Sequence, residues 1–84
     1  MYTIKITPAA ERQLKKLSAD IRKRLFKKLK SLEKNPRPSG VKKLEDVLDL
    51  YRVRVGDYRI VYQIEDEVLV VTVVKVGNRR DIYR

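Results

Sequence analysis

Two short stretches hold the groups able to do chemistry. "YRVRVGDYR" (51–59) carries Arg52, Arg54 and Arg59, and "VGNRRDIYR" (76–84) carries Arg79, Arg80, Tyr83 and Arg84. Guanidinium forks match phosphate oxygens bidentately and stay charged at any biological pH. If Gly56-Asp57 is a two-residue turn, Val55 faces Tyr58, Arg54 faces Arg59, Val53 faces Ile60, Arg52 faces Val61 and Tyr51 faces Tyr62. Side chains alternate across a strand. One face of the hairpin then carries Tyr51, Val53, Val55, Tyr58, Ile60 and Tyr62, and the other carries Arg52, Arg54 and Arg59. Like charges directly opposite one another destabilise a strand pair. An anion seated between the guanidiniums would give the arrangement a purpose, and the Arg79-Arg80-Tyr83 tail, folded over the same face, would complete a phosphate site. The competing reading leaves these arginines solvated, or paired with Asp46, Asp49, Asp57 or Asp81. A one-residue slip of the turn would send Arg52 and Arg54 to the other face. Tyr83 either anchors the tail to the core or presents its hydroxyl to a substrate.

Absent residue types narrow the chemistry. The sequence has no cysteine and no histidine, which removes disulfides, thiolate metal sites and imidazole acid–base catalysis. Neither a metal nor another cofactor is expected, and catalysis has to run on Arg, Lys, Tyr, Asp, Glu, Ser or Thr. The partner is written in the charge. Lys plus Arg is 21 against 11 Asp plus Glu, a net +10. Residues 1–40 hold 12 basic and 3 acidic residues, whereas residues 41–84 hold 9 and 8. Such a balance suits a polyanion: nucleic acid, an anionic membrane or an acidic protein.

The elements that position these groups follow from periodicity. The 84 residues are 43% hydrophobic and contain only three glycines and three prolines, as expected of one folded domain, 1–84, with a modest core. No apolar run is long enough to span a bilayer and no leader pattern opens the chain, so a reducing cytoplasm is the expected location. Tyr2 to Ile6 alternates as a short strand. Thr7-Pro8 gives an N-cap with proline at the first helical position, and Ala10, Leu14 and Leu17 follow at helical spacing. Ser18 caps a second helix, whose stripe is Ile21, Leu25, Leu29 and Leu32. Arg22, Lys23, Lys27, Lys30 and Lys34 make its basic side, which is either a solvated surface or a docking face for RNA backbone. "NPRPSG" (35–40) ends that helix. The hairpin of 50–64 follows, "EDE" (65–67) turns the chain, and "VLVVTVVKV" (68–76) is apolar on both faces, as expected of an interior strand covered on each side. The predicted fold is α+β in the order β-α-α-β-β-β, with two N-terminal helices packed on a mostly antiparallel four-stranded sheet.

With "YRVRVGDYRIVYQI" (51–64), "VGNRRDIYR" (76–84) and the preceding two-helix segment with "KKLEDVLDL" in place, the chain resembles the RelE branch of the RelE/ParE toxin superfamily over nearly its whole length. The resemblance implies a RelE-like fold and a small basic endoribonuclease, the toxin of a type II toxin–antitoxin system. Such toxins cut messenger RNA in the ribosomal A site and are held inactive by a cognate antitoxin. The implied partners are therefore mRNA, the ribosome and an antitoxin protein. The implied chemistry is metal-independent attack of a 2′-hydroxyl on the adjacent phosphate, leaving a 2′,3′-cyclic phosphate. The family's strand pair falls on Arg52 and Arg54, its arginine after the turn on Arg59, its arginine after the last strand on Arg79 and its tail tyrosine on Tyr83, which together form the implied catalytic set. Arg80, Arg84, Arg22, Lys23, Lys27 and Lys30 are the expected RNA-binding residues. Lysine often occupies the strand pair in relatives, and Asn78 stands where many have histidine. A tyrosine with a free pKa of about 10 would be shifted toward its phenolate by surrounding arginines. Two other readings stay open: a ParE-like inhibitor of DNA gyrase on the same scaffold, and a non-enzymatic basic RNA-binding module.

Overall fold

The computed structural model describes residues 1–45 and 49–78. Strand β1 (Thr3–Ile6) leads into helices α1 (Pro8–Lys15) and α2 (Ala19–Leu32), followed by strands β2 (Lys42–Glu45), β3 (Leu50–Val55), β4 (Tyr58–Glu65) and β5 (Val70–Asn78). Both helix starts form for the expected reason. The Thr7 hydroxyl accepts from the Ala10 N–H at 3.2 Å, with Pro8 at the first turn, and the Ser18 hydroxyl accepts from Ile21 N–H at 3.4 Å. Each cap satisfies a donor that the helix itself leaves open. Along α2, Leu25, Leu29 and Leu32 are buried, a one-sided stripe that seats the helix on the sheet. No helix among the described residues is long and apolar enough to cross a membrane.

The sheet has five strands in the order β1-β5-β4-β3-β2, one more than the four expected. The added strand is β2, antiparallel to β3 with Lys42 opposite Arg52 and Lys43 opposite Tyr51. Its sequence, Lys-Lys-Leu-Glu, has no apolar alternation because it is an edge strand, where charge is tolerated and blunts unwanted pairing. β1 lies parallel to β5, with Thr3 opposite Val70 and Ile6 opposite Val73. The other pairs are antiparallel, so the mostly antiparallel α+β expectation stands. Beyond Ile6 the edge of β5 passes to α1, whose Gln13 Oε1 accepts from Val76 N–H at 2.7 Å.

The helices cover one face of the sheet. The core gathers Ala10, Leu14, Leu25, Leu29 and Leu32 against Tyr51, Val53, Ile60, Tyr62, Ile64, Val71, Val73 and Val76. Each fully buried leucine or isoleucine contributes about 1.5–3 kcal/mol relative to an exposed one. β5 was expected to be covered on both faces, yet Val70, Thr72, Val74 and Lys75 keep partial exposure. Its unbroken apolar run has a different cause. Val61 pairs with Lys75 and Tyr62 with Val73, so Val74 is an extra residue without an opposite number. This β-bulge reverses the in–out parity along β5. Val71 and Val73 face the core before it, and Val76 faces the core after it.

The end of the sheet nearest the α2–β2 connection is fastened by a polar cluster that sequence reading did not anticipate. Arg37 reaches Asp66 with two hydrogen bonds, Nη1 to Oδ1 at 3.1 Å and Nη2 to Oδ2 at 2.8 Å, and its Nε donates to the Tyr51 hydroxyl at 3.1 Å. The same guanidinium lies 5.1 Å from the Tyr51 ring centroid. The Tyr2 hydroxyl donates to the same Asp66 carboxylate. Nearby, the buried Tyr62 hydroxyl donates to the Pro36 carbonyl at 2.7 Å. Gly40, at φ +86, closes the turn in which Val41 N–H bonds back to Pro38 O, a type II geometry that favours glycine there. Burial pushes the Tyr62 phenol upward. Hydrogen bonds from Arg37 first, and from Tyr2 second, hold the Asp66 carboxyl down at about 2.

Two outcomes are expected. Because the folded-state value of Asp66 lies below its unfolded one, its contribution is present above the ordinary carboxylate range and disappears as pH falls from about 4 toward 2. In chemical denaturation across pH, Asp66→Asn should be less stable than the native chain at pH 7, and the gap should close through that window. Tyr62→Phe strands the Pro36 carbonyl and should cost about 1–3 kcal/mol, read from the urea midpoint.

A candidate phosphate site on the open face of the sheet

The hairpin is laid out as its sequence specifies. Gly56 takes φ +61 at the first turn position, which a side chain would strain. The observed pairs are Val55–Tyr58, Arg54–Arg59, Val53–Ile60, Arg52–Val61 and Tyr51–Tyr62. Arg52, Arg54 and Arg59 therefore share the face turned away from the helices. Val61 stands with them: it is 7% exposed yet lies outside the helix-side core cluster.

Within this face the three arginines differ. Arg59, on the inner strand β4, is only 6% exposed, and its Nη1 donates to the Tyr58 carbonyl at 3.3 Å. Arg54, across the ladder, is exposed and turns its Nε to the Gly56 carbonyl at 3.1 Å, back over its own turn. Arg52 is half-buried on β3. On the other side of Arg59 the register places Gly77. A glycine inside a strand often marks a close approach by a ligand or another backbone, and here the position beside the buried guanidinium carries no side chain. Asp49, one of the aspartates able to neutralise the arginines, pairs instead with Lys43 at 3.4 Å.

The tail residues Arg79, Arg80, Tyr83 and Arg84, and Asp46 and Asp81, lie outside the described residues. Asn78, the last described residue, pairs with Tyr58 immediately after the turn, at the same end of the sheet as Arg54 and Arg59. The helix residues fall elsewhere. Lys23, Lys27 and Lys30 are exposed on α2, in the layer on the opposite side of the sheet, and are not brought together with the arginines. Arg22 is set apart from them, half-buried beside a groove of about 550 Å³ that it lines with Ile4, Ile6, Leu14 and Phe26. Three basic residues on the arginine face escaped the sequence reading: Lys5, at a distance opposite Thr72, and two nearer the arginines. Lys42 stands opposite Arg52, and Lys75 stands opposite Val61. The signal for Lys75 was present as the parity break in "VVTVVKV"; for Lys42 there was none beyond its charge.

Two arginines at facing positions of a strand pair, one of them buried, are suited to holding an anion with two or more oxygens. The comparisons agree with a shared scaffold. Residues 4–83 match the family described as the ParE toxin of type II toxin–antitoxin systems. A putative RelE-like toxin protein of Escherichia coli is 38% identical over 87 residues, covering 98% of this chain and 90% of the relative. The mRNA interferase toxin RelE of Escherichia coli K12 is 35% identical over 80 residues, covering 93% and 83%. Among solved structures, the archaeal RelE–RelB complex from Pyrococcus horikoshii OT3 superposes with a TM-score of 0.84 at 32% identity, over 93% of this chain and 94% of that one.

The like-charge pair has a measurable cost. Arg54→Thr should stabilise the fold by about 0.2–1 kcal/mol at low ionic strength, the range for one cross-strand pair. The gain should shrink in 1 M salt, where exposed charges are screened within about 3 Å, but persist in part because Arg59 is buried. Urea titrations at the two salt concentrations would measure it.

Proposed function

Because this chain belongs to the RelE/ParE family of type II toxin–antitoxin toxins, we propose that it is an endoribonuclease that cuts messenger RNA in the ribosomal A site, and that a cognate antitoxin restrains it. The observation that carries this reading is the buried Arg59, opposite Arg54 on one side of the ladder and Gly77 on the other. Relatives of this chain bear the name mRNA interferase RelE, and the solved relatives include RelE toxins in complex with RelB antitoxins.

The mechanism asks little of acid–base chemistry and much of electrostatics. The RNA 2′-hydroxyl attacks the adjacent phosphorus, the P–O5′ bond breaks, and a 2′,3′-cyclic phosphate and a free 5′-hydroxyl remain. Charge accumulates on the phosphoryl oxygens as the pentacoordinate state forms. Arg59, already desolvated and oriented, stabilises that charge with little reorganisation, and this is the kind of interaction that lowers a barrier most. Arg54 and Arg52 approach from β3. Arg79 from the tail joins them on the phosphate, Arg80 and Arg84 bind the flanking backbone, and Tyr83 either takes the 2′-hydroxyl proton or stacks on a codon base. With few proton-transfer groups, the enzyme relies on the ribosome to hold the message in line for attack. Lys23, Lys27, Lys30 and Arg22, on the helix layer, are then free to bind ribosomal RNA backbone rather than the scissile strand.

A gyrase-inhibiting role on this scaffold would give no reason to bury an arginine beside a second one on an open strand pair. Arg59→Ala should retain the fold by circular dichroism and lose at least about 100-fold in cleavage, the loss typical of removing one oxyanion-stabilising donor. The assay is to map new 5′ ends on messages in programmed ribosomes. Undiminished cleavage by Arg59→Ala, or DNA breaks from gyrase in place of cut message, would overturn the proposal.

A further inference from the structure

The bulge at Val74 does more than terminate a pattern. Had β5 kept the register that pairs Tyr62 with Val73, Lys75 would lie opposite Ile60 on the core face, and Gly77 would share that face with it. The extra residue turns both onto the arginine face, where Lys75 pairs with Val61 and Gly77 with Arg59. Bulges are frequent beside functional sites because they re-aim side chains in this way. A lysine directed at the core would demand burial of its charge; directed outward, it joins a transverse row of four strands, Lys42, Arg52, Val61 and Lys75.

This row runs parallel to the Arg54–Arg59–Gly77 row and is displaced from it by two residues, about 7 Å along the strands, and it spans three strand spacings, about 14 Å. Its centre is Val61, buried yet outside the core cluster that the described helices cover. Long basic side chains cover apolar surface with their stems while keeping their charged heads in water. Cations flank Val61 on both sides, Arg52 and then Lys42 on one and Lys75 on the other, with Lys75 half-buried and Lys42 exposed. A single phosphate at Arg59 does not require such a row. A polyanion with charges at regular intervals does.

We infer that Lys75 binds the RNA phosphate next to the scissile one, with Lys42 holding the backbone at the far end of the same row. This deepens the nuclease reading and rests on it: the row extends the phosphate site across the sheet, so affinity comes from backbone contacts that carry no sequence information. Lys75 and Lys42 are binding residues, while the reacting phosphate stays with the arginines.

The test uses the intact protein and a single-stranded RNA oligonucleotide 2′-O-methylated throughout, which binds without being cut. Affinity is measured between 50 and 200 mM salt. Lys75→Gln should weaken binding about 3- to 10-fold at the lower salt and reduce the slope of log K against log salt by about 0.7, the value for one single-strand phosphate contact. Lys42→Gln should do likewise, and Lys75→Arg should restore the native slope. Lys34→Gln, beyond the end of α2, controls for net charge. On programmed ribosomes Lys75→Gln should raise KM and leave kcat near native, unlike Arg59→Ala. The inference falls if Lys75→Gln keeps native affinity and slope, if Lys34→Gln lowers both as much, or if the native protein does not bind the oligonucleotide. Failure of the nuclease reading looks different: the native protein binds the oligonucleotide with the Lys75-dependent slope yet leaves ribosome-bound message uncut.

Discussion

Side-chain alternation along a strand offers each residue one of two directions, and the cationic face of this protein depends on that choice being made twice. The Gly56-Asp57 turn makes it once, placing Arg52, Arg54 and Arg59 together and the tyrosines and aliphatics on the helix side. The bulge at Val74 makes it again, in the opposite sense from the residues before it, so that Gly77 and Lys75 join the arginines. Either choice alone would leave half of that face. Without the glycine-led turn the arginines would face the core, and without the extra valine β5 would offer a lysine to the apolar layer. Burial of the six or so large side chains on the helix side is thus what holds the cations in place, since moving one strand by a residue would exchange the two sets.

The polar cluster around Arg37 fastens the end of the sheet opposite the turn. It links β1, the α2–β2 connection, β3 and the turn after β4 through Tyr2, Arg37, Tyr51 and Asp66. Arg37 and Asp66 are exposed, so screening keeps their ion pair weak. The geometry is still specific, because the planar guanidinium engages both carboxylate oxygens and an aromatic hydroxyl at once. The ring stack of Tyr51 on Tyr62, 6.1 Å between centroids, continues this support into the core beneath the arginine strands. The site is therefore built on strands held from both ends.

Much of this architecture was legible in the sequence, for local reasons. Thr7-Pro8, Ser18 and the Leu25-Leu29-Leu32 stripe define their helices through capping and a 3.6-residue period, and Gly56-Asp57 fixes the hairpin register down to the Arg54–Arg59 pair. What stayed hidden depends on contacts distant in the chain. β2 has no apolar alternation and is a strand because β3 offers it an edge. The Val74 bulge is invisible to a reading that explains continuous valines by double coverage. Lys42 and Lys75 reach the site through these two features, so both were missed together. Arg37 looked like a linker residue between prolines, and only the fold brings Asp66 to it.

The pairing of β1 with β5 has a temporal consequence. Strand β1 finds its parallel neighbour only in residues 70–73, so the sheet stays incomplete until β5 has been made. Contacts this distant in sequence also form late and slowly. Until then β4 lacks the partner that carries Gly77 and Lys75. A chain stopped before β5 would carry Arg52, Arg54 and Arg59 without the neighbours that complete their face.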